Sequence, residues 1–86
     1  MKRTLAIAFG LSAIAGAAFA GPDCSDMTHD VPMWEVVKGF EDADGTIKLA
    51  KVTSGNCYEI YGTVDGQRYE IYYSPTTGEE IERNEG

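Results

Sequence analysis

A strong β-hairpin signal constrains the fold of this chain more than any other feature. Asp65-Gly66 is a two-residue turn sequence that tolerates positive φ at both positions, as a type I′ turn requires. It stands between two tyrosine-rich runs, Cys57–Val64 and Gln67–Ser74, in which polar and apolar residues alternate. The sequence therefore predicts two antiparallel strands joined by this turn.

The register of this hairpin assigns each side chain to one of two faces. With Val64 and Gln67 flanking the turn, the apolar face carries the pairs Tyr58–Tyr73, Ile60–Ile71 and Gly62–Tyr69, together with Val64. The opposite face carries the pairs Glu59–Tyr72, Tyr61–Glu70 and Thr63–Arg68. We expect the apolar face to pack against a helix, with a tyrosine ring over Gly62, and the other face to meet water. A slip of one residue would bury Glu59 and Glu70, so the register is well specified.

The remaining elements are one helix and two further strands. Met33, Trp34, Val37 and Phe40 recur at helical spacing and predict a helix over Pro32–Glu41, with Trp34 as a core residue. Thr46–Thr53 reads as the first strand and Glu79–Glu82 as a short final one. The predicted fold class is α+β, with one short helix packed on an antiparallel sheet of three to four strands.

Residues 1–20 have the composition of a removable export signal. Lys2 and Arg3 precede an uncharged stretch from Leu5 to Ala20, which ends in the cleavage pattern Ala18-Phe19-Ala20. The stretch is shorter than the roughly 20 apolar residues of a membrane-spanning helix. An uncleaved anchor and lipidation at Cys24 are the alternatives. The sequence predicts a periplasmic or secreted protein with no membrane contact after cleavage.

Charge excludes one large class of function. The chain has 14 acidic and 7 basic residues, and loss of Lys2 and Arg3 would leave five basic residues. No cluster of Lys and Arg remains to neutralise phosphates, so generic nucleic-acid binding is excluded.

Two cysteines, Cys24 and Cys57, follow the leader. Two cysteines in a small exported domain usually pair, and a bond would hold the polar segment from Gly21 to Asp30 onto the sheet. A redox-active pair is the alternative, but it normally has C-x-x-C spacing. We predict a structural disulfide.

The hairpin and its flanks resemble the PepSY family. The resemblance lies in the run Gly55–Gly62, in Asp65-Gly66, in Tyr69–Glu79 and in Trp34 near the start of the helix, and the closest likeness is to short, exported, stand-alone members. One departure is Ser74, where the family more often has Asp. The resemblance implies a helix-on-sheet fold outside the cytoplasmic membrane, and it supports the disulfide. The corresponding division is an irregular segment at 21–31, a PepSY-like domain at 32–82 and an acidic tail at 83–86.

Motifs for metal binding and catalysis are weak. Residues 40–47 resemble part of an EF-hand loop, but its first ligand and its final glutamate are absent. Asp26, His29 and Asp30 could converge on a metal, yet a lone histidine in a polar segment is more often solvated surface. His29 is the only histidine, and no nucleophile motif accompanies it. We predict no cofactor, no metal site and no enzymatic activity, and the PepSY resemblance carries no shared catalytic motif.

The amphipathic face of the hairpin is the predicted partner surface. Its members are Tyr61, Tyr72, Glu59, Glu70 and Arg68. Exposed tyrosines among charges can anchor a protein interface. The hypothesis is a module that binds protein or peptide, with the PepSY resemblance suggesting regulation or inhibition of an exported peptidase. The alternative is a low-affinity cation-binding acidic protein, and the oligomeric state stays open.

Overall fold

The computed structural model describes residues 21–86, so the predicted leader lies outside the described part of the chain. One helix, α1 (Met33–Asp42), precedes four strands: β1 (Gly45–Val52), β2 (Tyr58–Val64), β3 (Gln67–Tyr73) and β4 (Glu80–Glu85). The strands form one antiparallel sheet in the order β1-β2-β3-β4. The predicted α+β class is therefore confirmed. No helix between residues 21 and 86 has the length and apolar content needed to cross a membrane.

The hairpin β2–β3 has the predicted register at every position. Tyr58 pairs with Tyr73, Ile60 with Ile71, and Val64 with Gln67. Asp65 and Gly66 have φ values of 52° and 81°, which a type I′ turn requires. The turn chemistry and the alternation of side chains agree, so this part of the fold follows directly from the sequence.

Strand β4 is longer than predicted, because it continues to Glu85. Residues 83–85 of the predicted acidic tail thus belong to the sheet. Arg83 stabilises this extension, since its guanidinium lies 4.8 Å from the ring centroid of Tyr69 and donates two hydrogen bonds to the carboxylate of Glu80. Such a contact has no periodic signature in a charged sequence.

The core lies between α1 and the apolar face of the sheet. Its buried members are Val36, Phe40, Tyr58, Ile60 and Ile71. The ring of Phe40 lies over Gly62, where a Cβ atom would come within 2.8 Å of it. The expected tyrosine cover of Gly62 is therefore wrong, and the helix supplies the aromatic ring instead.

Trp34 is not a core residue, and that prediction is wrong. Its side chain is 64% exposed, whereas Val36 and Phe40 are each 6% exposed. Successive helical residues are rotated by about 100°, so Trp34 lies well away from the stripe formed by Met33, Val36 and Phe40. The predicted stripe included Trp34 and omitted the buried Val36, so the true apolar stripe is rotated away from Trp34.

Ser74 performs the turn function expected of the family's aspartate. Its side-chain oxygen accepts hydrogen bonds from the backbone N–H groups of Thr76 and Thr77, at 3.1 and 3.2 Å. A serine hydroxyl can stabilise a turn in this way without a charge. Ser74 is buried, so the loss of that charge suits its surroundings.

Candidate functional site

The face of the sheet away from α1, here called the outer face, carries all five residues of the predicted partner surface. Glu59 pairs with Tyr72, Tyr61 with Glu70, and Arg68 with Thr63. Side chains alternate between faces along a strand, and the core cluster under α1 uses the other set. The structure thus brings these residues together on one face, but it divides them between a covered half and an open half.

The N-terminal segment covers one half of the outer face. Cys24 and Cys57 form the predicted disulfide, and its two cysteines are 1% and 0% exposed. The bond packs with Met27 against Tyr72. Gly21 also lies against the Tyr72 ring, since a Cβ atom there would be only 2.6 Å from it. The segment is therefore a fixed part of the fold.

Tyr72 and Glu59 do not belong to an exposed surface, contrary to the expectation from alternation. Tyr72 is 3% exposed and Glu59 is 4% exposed. The prediction placed both side chains on the correct face of the sheet, but the irregular segment at residues 21–27 packs over Tyr72 on that face. One feature of the sequence indicated this covering. Cys57, Glu59 and Tyr61 are alternate residues, so their side chains lie on the same face of the sheet. A bond from Cys57 to Cys24 therefore brings the N-terminal segment to the outer face.

A network of hydrogen bonds joins the covered half to the open half. The hydroxyls of Tyr61 and Tyr72 both donate to Oε2 of Glu70, at 2.8 and 2.9 Å. The carboxyl of Glu59 is hydrogen-bonded to Glu70 as well. Lys51 Nζ lies 3.9 Å from Oε1 of Glu59. Tyr61 is thereby held in a fixed orientation at the boundary of the covered half.

Of this hydrogen-bonded pair of carboxyl groups, Glu59 holds its proton to a higher pH than Glu70 does. Burial, followed by the hydrogen bond and the charge of Glu70, raises the pKa of Glu59 to about 7, although Lys51 opposes the shift. The hydrogen bond from Glu59 is the main cause that lowers the pKa of Glu70. The hydrogen bond to Glu70 raises the pKa of Tyr61 to about 12, and burial raises the pKa of Tyr72. Both tyrosines therefore remain hydrogen-bond donors at neutral pH.

This network predicts a stability that falls as the pH rises from about 5 to about 8. The folded protein retains the proton of Glu59 after the unfolded chain has lost it, so stabilisation is full below the unfolded pKa and is lost through a pKa of about 7. The shift corresponds to roughly 2–3 kcal/mol in the free energy of unfolding. Urea denaturation across this range measures it. Glu59→Gln should remove most of this pH dependence, whereas Glu35→Gln on an exposed helical position should retain it. An equal slope in both variants would contradict the raised pKa of Glu59.

The open half of the outer face contains a groove of about 600 Å³ that extends from β1 across β2 to β3, with Gly86 after β4 also in its lining. Leu49 and Tyr61 supply its apolar side chains and are 45% and 40% exposed. Lys48, Arg68, Thr46 and Thr63 supply its polar side chains, and the backbone around Gly62 contributes to its lining. These residues are called the outer groove below. Its volume lies within the range of ligand-binding pockets.

Lys48 and Leu49 are groove residues that the sequence analysis missed. The pairing of β1 with β2 shifts between Ile47 and Leu49, so a β-bulge interrupts the alternation there. Ile47 pairs with Gly62 above the core, whereas Leu49 pairs with Tyr61 on the outer face. Simple alternation would have placed both on the same face, and the sequence of β1 contains no marker of the bulge.

Two residues of the motifs considered for metal binding, His29 and Asp44, have structural roles. Nε2 of His29 lies 2.7 Å from the side-chain oxygen of Asn56, and the imidazole meets the ring of Tyr58 edge-on. Asp44 has a φ of 68° and forms the turn between α1 and β1. Within residues 21–86, no three His, Cys, Asp or Glu side chains are grouped closely enough to hold a metal ion.

Comparison with known proteins gives one match. A family model described as the peptidase propeptide and YPEB domain, of the PepSY type, matches residues 4–84. No curated protein and no solved structure matches the chain.

Proposed function

Because this chain belongs to the PepSY family of peptidase propeptide and YPEB domains, we propose that it is a non-catalytic exported module that binds a protein or peptide and regulates an exported peptidase. The observation that carries the proposal is the outer groove. It combines two exposed apolar side chains with polar and charged neighbours, which is the usual composition of a recognition surface.

The groove is rigid enough to recognise a partner. It lies on strands of the sheet, and the hydrogen bond from Tyr61 to Glu70 fixes the ring that forms one of its walls. A surface whose side chains are already ordered loses less conformational entropy when a partner binds. Tyr61 and Arg68 are the members of the predicted partner surface that line this groove.

A non-catalytic role agrees with the chemistry of the described residues. Both cysteines in residues 21–86 are bonded to each other, so neither is a free thiol nucleophile. His29 is hydrogen-bonded to Asn56 and does not line the outer groove. The groove itself offers lysine, arginine, threonine and tyrosine side chains, with no Asp, Glu or His side chain to act as a general base.

Export to the periplasm or beyond is part of the proposal. It is supported by the predicted leader and by a buried disulfide, which persists in oxidising compartments. The cation-binding alternative gains no support from the geometry, because the acidic side chains of residues 21–86 do not form a metal-holding group.

Capture from a periplasmic extract tests this function. The immobilised protein should retain a peptidase identified by mass spectrometry, and added protein should reduce that peptidase's hydrolysis of a peptide substrate. Leu49→Ala and Tyr61→Ala should each weaken capture by about tenfold, as expected for apolar anchors of an interface.

Val52→Ala is the matched control. Val52 lies on the same strand as Leu49 and is 48% exposed, but it does not line the outer groove. Tyr72 is not substituted, because loss of its buried ring could destabilise the fold and so reduce capture for a reason unrelated to binding. Undiminished capture by both groove variants would show that the partner binds elsewhere.

A further inference from the structure

The basic residues of the chain are distributed unevenly between ion pairs and the outer groove. Residues 21–86 contain five of them. Three lie close to a carboxyl group, namely Lys38 to Asp42 at 2.8 Å, Lys51 to the largely protonated Glu59 at 3.9 Å and Arg83 to Glu80 at 2.7 Å. The other two, Lys48 and Arg68, form no ion pair within the described residues, and both line the outer groove.

No Asp or Glu side chain in the described part of the chain lines this groove, whose lining also includes Tyr69 and Gly86. All 14 acidic residues of the chain lie within residues 21–86, yet none of them lines it. The charged side chains that line the groove are therefore all positive, on a strongly acidic protein. A peptide with several carboxylates can meet both positive charges and displaces no ion-pair partner of either within the described residues, so its approach is favoured by charge complementarity.

The space near these two cations is apolar. Leu49 and Tyr61 expose large parts of their side chains there, and Thr46 and Thr63 flank them. An inorganic anion would use the charges but would leave this apolar surface in water. A peptide with an apolar side chain next to acidic ones would use both features.

The bulge in β1 favours recognition by side chains over addition of a strand. β1 forms one edge of the sheet, and its hydrogen-bonding pattern is interrupted between Ile47 and Leu49. Bulges at sheet edges hinder pairing with another chain. The same bulge brings Lys48 and Leu49 together at the groove.

We propose that the outer groove binds an acidic peptide segment, whose carboxylates contact Lys48 and Arg68 and whose apolar side chain packs on Leu49 and Tyr61. This rests on the proposed function, because it names the chemical class of the partner segment. The segment belongs to the bound protein, and Arg68 is suited to hold a carboxylate by two parallel hydrogen bonds.

Titration with synthetic peptides, followed by amide NMR, tests the proposal. The probes are a capped peptide of alternating glutamate and leucine and its counterpart with glutamine in place of glutamate. The protein is recovered from the periplasm of the expression host with its disulfide formed. The acidic peptide should bind at least about tenfold more tightly than the glutamine peptide, with the largest shifts at Lys48, Leu49, Tyr61 and Arg68. Raising the salt concentration from about 0.1 M to about 1 M should weaken binding of the acidic peptide severalfold.

A pair of double variants with equal net charge separates the groove from general electrostatics. Lys48→Gln with Arg68→Gln should lower the affinity for the acidic peptide by about tenfold. Lys38→Gln with Lys51→Gln removes two cations outside the groove lining, and it should change the affinity by less than about twofold. Amide spectra of all variants establish that the fold is retained.

Four results would overturn the assignment. If the glutamine peptide binds as tightly as the acidic one, the groove cations have no role in recognition. The same conclusion follows if the two double variants lose equal affinity for the acidic peptide. Absence of saturable shifts with any peptide would contradict the proposed binding itself. Shifts at the groove that grow with protein concentration alone would identify a second copy of the chain as the occupant. If Leu49→Ala nevertheless weakens peptidase capture by about tenfold in each case, the proposed function stands and only this choice of partner segment fails.

Discussion

Replacing both Cys24 and Cys57 with serine should lower the free energy of unfolding by about 3.5–4 kcal/mol. The bond joins residues separated by 33 positions, and an open chain of that length gains much conformational entropy when unfolded. For a domain of this size, the loss is comparable with the whole stability that a small core provides. The protein should therefore become marginally stable at room temperature.

Urea denaturation of the oxidised parent and the double serine variant measures this loss. Ser25→Ala is the control, because Ser25 adjoins Cys24 and is exposed. The segment also has weaker attachments, since the Cys24 N–H donates to the Gly55 carbonyl at 2.8 Å and Asn56 Nδ2 donates to the carbonyl of Cys24 at 3.0 Å. A difference below about 1 kcal/mol would mean that these hydrogen bonds suffice and that the entropic argument is wrong.

Phe40→Ala should cost about 3–5 kcal/mol, the range for loss of a buried aromatic ring. The ring fills the space left by two glycines, because a Cβ atom at Gly45 or at Gly62 would lie within 2.8 Å of it. Neither glycine has a side chain with which to close the resulting cavity. The cost should therefore fall near the upper end of that range.

Trp34→Ala is the comparison for this change. It removes a larger side chain from the same helix, but one that is 64% exposed, and it should cost less than about 1 kcal/mol. Thermal and urea unfolding of the two variants should differ clearly. Equal destabilisation by both changes would show that the helix is rotated relative to the arrangement described above.

The hairpin could be predicted from the sequence because two independent constraints agree there. The Asp65-Gly66 turn fixes the register, and the alternation around Ile60 and Ile71 fixes the facing. Trp34 shows the limit of helical periodicity, since spacing locates a stripe but does not define its edges.

The open part of the candidate site could not be predicted in the same way. Leu49 reaches the outer face only because of a bulge, which depends on the pairing of whole strands. Tyr72 is covered by an irregular segment that has no periodic pattern to reveal its position. Residues on regular strands were placed correctly, whereas contacts made by irregular structure depended on tertiary packing.

The composition of β4 has a consequence for how the chain behaves at high concentration. β4 is the edge strand opposite β1, and all of its residues are exposed. An edge strand with unpaired backbone groups invites copies of a protein to join into extended sheets. Here Glu80, Glu82 and Glu85 lie along that edge, so two such edges brought together would place carboxylates against carboxylates. The acidic strand thereby protects the protein from edge-to-edge aggregation without any additional element to cover it.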